Sequence, residues 1–139
     1  MIEIFHAVAE AGIIDAYRGS LIKAPGPVNL LLSYPYVPSQ IRELRRLKAE
    51  GKVGKLFMDS NTYSLNPDGI WSGINRFEEY INAVRRFGHE FDHLASYDIN
   101  FRDPEMNWHY HLVLLDLFKG TGLDTRIMPV IHSVDDASR

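Results

Sequence analysis

The stretch KLFMDSNTYSL, from Lys55 to Leu65, is a short apolar run that ends in polar side chains. Leu56, Phe57 and Met58 read as a buried strand; Asp59, Ser60 and Asn61 arrive at its end, and Thr62, Tyr63 and Ser64 follow. Polar groups delivered to the carboxy end of a buried strand are what a ligand site on a parallel sheet needs, because ligands on such sheets bind at that end. The pattern recurs along the chain. Val28 to Leu32 runs into Ser33 and Tyr34, Phe91 to Tyr97 into Asp98 and Asn100, and Ile127 to Ile131 into His132 and Ser133.

Helical periodicity fills the gaps between these strands. Ser39 is a suitable N-cap for a helix over Gln40 to Glu50, with Ile41, Leu44 and Leu47 as its apolar stripe and Gly51 as its stop. After the turn signature Asn66-Pro67-Asp68-Gly69, a helix over Ser72 to Phe87 buries Ile74, Phe77, Ile81 and Val84, with Tyr80 at the border. Asp103, Pro104 and Glu105 start another helix, whose stripe is Trp108, Leu112, Leu115 and Phe118, and Gly120 closes it. Pro129 inside the last strand predicts a bulge or an early end there. Residues 1–27 read as an N-terminal helix and loop, since Ile4, Phe5, Val8, Ile13, Ile14 and Tyr17 recur at a loose helical period.

Strand followed by helix, repeated with one polarity, forces parallel pairing. The expected fold class is therefore α/β, a single domain in which residues 28–139 supply four parallel βα units, the last without its helix. Ser33, Asp59, Asp98 and His132 are 26, 39 and 34 positions apart. That pitch suits a (β/α)8 TIM barrel, which takes about 250 residues for eight units. At 139 residues the chain amounts to half of one. Open outer strands invite association. A homo-oligomer or a missing C-terminal half is the expected complement.

Composition narrows the classes further. The formal charge of -3 gives no whole-chain attraction for nucleic acid. Arg42, Arg45, Arg46 and Lys48, like Arg85 and Arg86, read as solvated helix faces. The chain has no cysteine, which excludes disulfides and cysteine-ligated zinc or iron–sulfur sites. MIEIFHAVAEAG lacks the basic start of a signal peptide, and no apolar stretch nears the about 20 residues of a membrane span. A soluble, cytoplasmic protein without a membrane partner is expected. GxGxxG, P-loop and GxSxG patterns are missing, so no nucleotide cofactor is expected.

Asp59 is the first candidate for chemistry, as a general base or as an acceptor for an N–H-rich ligand. Asp98, with Asn100, holds the same place on the next strand. Two carboxylates on one rim can bind a base edge, hold a metal, or divide acid and base roles. His132 can donate to a ligand or bind metal. Ser33, Tyr34 and Tyr63 offer hydroxyls and ring faces to a planar ligand. His109 and His111, two apart on a helix, point to different faces, and His89 and His93 flank the start of a strand. A metal-assisted hydrolase using Asp59, Asp98 and His132 and a non-catalytic remnant are the competing readings.

FMDSNTYSL resembles the second-strand signature of the tRNA-guanine (queuine) transglycosylases and their relatives that insert 7-deazaguanines into DNA. LLLSYPYV, ASYDINFRDPE and MPVIHS fall in the order and at the spacing of that family, so the resemblance spans about residues 28–135. It implies that Asp59 contacts the exchanged base and assists proton transfer, with Ser60 beside it, and that Asp98 reads the purine edge. His132 falls where the family usually has a glutamine that contacts the base. Asn61-Thr62 replaces a small, glycine-rich pair, and His132-Ser133 replaces Gln-Gly-Gly. The family's nucleophilic aspartate and the zinc site of its tRNA-acting members belong to the second half of the barrel. The resemblance thus implies a purine or 7-deazaguanine base as ligand, DNA or tRNA as its carrier, no cofactor or metal in this half, and glycosyltransferase activity only once a second half is present.

Overall fold

The computed structural model describes residues 4–8, 26–60, 76–98 and 104–130. Strands β1 (Phe5–Val8), β2 (Val28–Ser33), β3 (Val53–Asp59), β4 (His93–Ala95) and β5 (Ile127–Met128) form one sheet. Every neighbouring pair is parallel, and the spatial order is the chain order. Helix α1 (Val37–Ala49) links β2 to β3, α2 (Phe77–Phe87) links β3 to β4, and α3 (Pro104–Leu117) links β4 to β5. A doubly wound sheet reverses its strand order at a switch point. This one does not, so its βα units wind one way, as successive units of a barrel do.

Residues 5–8, part of the N-terminal helix expected within 1–27, are instead a strand, because they pair with β2 from Phe5 against Asn29 to Val8 against Leu32. Four residues are too few for periodicity to separate strand from helix, and the free edge of β2 decides. The remainder of 1–27, apart from Ile4, Gly26 and Pro27, lies outside the described residues.

Alternation along the strands divides the sheet into two faces. Leu30 and Leu32 of β2, Leu56 and Met58 of β3, Leu94 of β4 and Ile127 of β5 are register partners on one face, and all are buried. They share a core with Leu44 and Leu47 of α1, Tyr80 and Val84 of α2, Leu114 of α3 and Phe118. The opposite, inner face carries Leu31, Phe57 and His93 in one register row, all partly exposed, and Met128, which is exposed.

Helix boundaries depart from the sequence reading for local reasons. A 3-10 turn, Tyr34–Tyr36, leads into α1, which starts before Ser39, so Ser39 is not its N-cap. Pro38 has its φ preset for a first helical turn. The Ser39 hydroxyl instead donates to the Tyr36 carbonyl at 3.0 Å. The other end is as expected. Gly51 has φ +76°, its N–H donates to the Lys48 carbonyl, and the Lys52 N–H reaches the Leu47 carbonyl, both at 3.0 Å, which makes a Schellman stop. In α2, Tyr80 is central to the buried face where a border position was expected. Residues 72–75 of that expected helix lie outside the described residues.

The largest correction concerns α3. Its buried face is Asn107, His111 and Leu114, with Phe118 just beyond its end, while Trp108 and Leu112 are about half exposed at 52% and 48%. Apolar side chains occur on both flanks of this helix, so periodicity was right at Phe118, which is buried, and at Leu115, which packs against the core, and wrong at Trp108 and Leu112. The two polar residues on the inward side disguised the right flank. Strands β4 and β5 are shorter than expected. Phe91 and Tyr97 remain buried beside β4, and β5 ends before Pro129, which has no N–H to offer a neighbouring strand.

Candidate functional site

Three sequence-predicted residues of the rim reach the carboxy edge of the sheet. Ser33 and Asp59 are direct register partners at the ends of β2 and β3. By alternation from Leu31 and Phe57 they belong to the inner face. Asp98 follows the neighbouring strand β4 by three residues and is partly buried, with its Oδ1 shut off from solvent. Ser60 is buried beside Asp59. Asn61, Tyr63, Asn100 and His132 lie outside the described residues.

A bulge at the far end of β3 sets which way Asp59 faces. Val28 pairs with Val53 but Leu30 with Leu56, so β3 carries one residue more than β2 over that span. The Asn29 side chain occupies the gap, its Oδ1 accepting the Lys55 N–H at 2.8 Å. Gly54 leaves room for it, since a Cβ at that position would lie 2.6 Å from Asn29 Oδ1 and would displace that side chain. Past the bulge, Leu56 and Met58 point to the helices, and Phe57 and Asp59 point to the inner face.

Beneath the rim the inner face is apolar and part aromatic. Phe5, Phe57 and His93, from three strands, meet with ring centroids 5.6 to 5.9 Å apart. A carboxylate and a hydroxyl side by side above such a floor suit a flat polar heterocycle, whose N–H edge the carboxylate can accept.

Behind the rim, tyrosines tie the strand ends to α2. Tyr34 is buried, its ring 5.4 Å from that of Tyr80, and its phenol donates to Glu79 at 3.0 Å. Its ring is therefore committed to the core on that side. Burial, reinforced by the Glu79 carboxylate, raises the Tyr34 phenol far above its usual pKa. Arg76 holds Glu79 by an ion pair of 3.0 Å, and its backbone N–H donates to the Tyr97 hydroxyl at 3.0 Å. Tyr80 is fully buried and its hydroxyl donates to the Ala95 carbonyl. Burial first, and then the nearby Asp59 carboxylate, keep that phenol protonated.

Sequence reasoning missed a buried polar pair. Ser96, one residue past β4, is hydrogen-bonded to His111 Nδ1 on α3. Both are buried, and burial lowers the pKa of His111 from its ordinary value of 6.5. Only the two-residue spacing from His109, which is exposed, hinted that the two imidazoles part company. Among the described residues no group of three His, Asp or Glu side chains is placed to hold a metal ion, and no helix is long and apolar enough to cross a membrane. The third ligand of the metal alternative, His132, lies outside them. No family model matches the chain, and no curated protein or solved structure matches it either.

Proposed function

We propose that the carboxy rim of this sheet binds a purine or 7-deazaguanine base, as one wall of a transglycosylase-like barrel that exchanges a base in DNA or tRNA. The observation that carries this reading is the register pairing of Ser33 with Asp59 on the inner face, with Asp98 at the end of the next strand. A guanine-type edge offers adjacent N–H donors, and a carboxylate accepts two of them at once. Asp59 contacts the base and takes up or returns its proton. Asp98 reads the other edge. Ser33 and Ser60 supply hydroxyls, and Asn61, Tyr63, Asn100 and His132, the other expected contacts, lie outside the described residues. Exchange of the base also requires a nucleophile for the ribose carbon, which further barrel strands supply. Binding, and not turnover, is therefore the activity of this chain on its own.

Calorimetric titration of the 139-residue chain with guanine and with a 7-deazaguanine tests this. Binding should weaken by about tenfold or more in Asp59→Asn and in Asp98→Asn, since a hydrogen bond to a charged group is worth about 1.5–3 kcal/mol. A folded chain that takes up neither base, or takes it up equally well with both carboxylates replaced, removes the reading.

A further inference from the structure

We infer that Tyr80 of α2 is the positioning residue of the rim: one buried side chain that fixes the ends of β2, β3 and β4 against one another and so sets how Asp59 and Asp98 stand. Its consequence for binding rests on the reading of the rim as a base site; the positioning itself does not. Parallel strands are held together by their ladder, and β3 and β4 share two register pairs, the last at Met58 with Leu94. Asp59 and Asp98 both lie beyond that pair. The β3–β4 ladder therefore does not fix the gap between the two carboxylates.

Tyr80 acts where that ladder stops. Its side chain is fully buried, and its hydroxyl donates to the carbonyl of Ala95, the last residue of β4. Its ring packs on Tyr34, the residue after Ser33, with centroids 5.4 Å apart. On another side it meets Tyr97, the residue before Asp98, at 6.2 Å. The Asp59 carboxylate at the end of β3 is near enough to act on the phenol. One side chain thus meets the end of β3, the end of β4, and the immediate neighbours of Ser33 and Asp98.

The surrounding turn of α2 holds the two flanking rings by their hydroxyls. Glu79 accepts from Tyr34, and the Arg76 N–H donates to Tyr97, both at 3.0 Å. A buried carbonyl left without a donor is costly, so the Ala95 bond gives the end of β4 one preferred position against α2. Tyr80→Phe keeps the ring and removes that tie.

Carbon-detected NMR of the Asp98 carboxyl against pH, in the ligand-free chain, tests the positioning, because a carboxyl pKa follows the charges and hydrogen bonds around it. The titration midpoint of Asp98 should move by about 0.3 pH unit or more in Tyr80→Phe. Guanine should bind about threefold or more weakly to the same variant, measured calorimetrically. Its circular dichroism should not change. Leu114→Ala, which weakens the core without removing a hydrogen bond to a strand end, should leave the Asp98 midpoint and the guanine affinity at their wild-type values. An unmoved Asp98 midpoint, a guanine affinity equal to that of the wild-type chain, or equal changes in Leu114→Ala overturns the inference. A wild-type chain that binds no guanine, together with a moved Asp98 midpoint in Tyr80→Phe, removes the base-site reading and upholds the positioning.

Discussion

His111 is a residue whose chemistry is constrained by its surroundings. It sits on the inward side of α3 with its Nδ1 on the Ser96 hydroxyl, and burial favours the neutral ring. Its folded pKa lies below 6.5, so the unfolded chain binds the extra proton more readily. Stability is therefore intact above the unfolded value and declines as pH falls through 6.5 toward the folded one. Urea midpoints measured down this range should drop, and His111→Gln, which keeps a hydrogen-bonding group, should flatten the drop. A midpoint with the same pH slope in the variant would place the titration elsewhere. Asp59 and Ser33 were legible in the sequence because an apolar run followed by a polar residue fixes a strand end. The Ser96–His111 pair was not, because partners fifteen positions apart are chosen by how α3 lies on β4.

Among the elements, α3 separates what periodicity can decide from what packing decides. Leu112 and Leu114 are equally apolar in the sequence, yet the first is 48% exposed and the second 1%. Leu114→Ala should lower the unfolding free energy by about 2–4 kcal/mol through lost burial and the cavity left behind. Leu112→Ala should change it by less than about 0.5 kcal/mol. Chemical denaturation of the two variants checks the assignment, and a reversed order would return the buried face to the stripe read from sequence. By contrast, α1 could be read almost whole: Ile41, Leu44 and Leu47 are buried and Gly51 stops it. Its start escaped because Pro38 permits a turn earlier than a serine cap announces. β1 escaped because nothing within four residues tells a strand from a helix until β2 lies alongside.

At the scale of the molecule, the parallel βα winding could be read from the repeat of strand and helix, and the sheet has it, with one more strand than the repeat announced. Pairing is uneven across that sheet. β2 and β3 share five register pairs, whereas β3 with β4 and β4 with β5 share two each. Native-state hydrogen exchange should therefore be slowest at Leu30 to Met58 positions in β2 and β3 and fastest at β5, since local opening follows the contacts that must break. Uniform protection across all strands would contradict this. The bulge at Gly54 has a further consequence, for changes of chain length. Removing one residue at position 54 or 55 would leave β3 with as many residues as β2 over that span, and plain alternation would keep Val53, Leu56 and Met58 together on the helix-covered side. The ladder would straighten while Asp59 kept its heading, which makes the bulge a slack residue that the strand can lose without turning its business end.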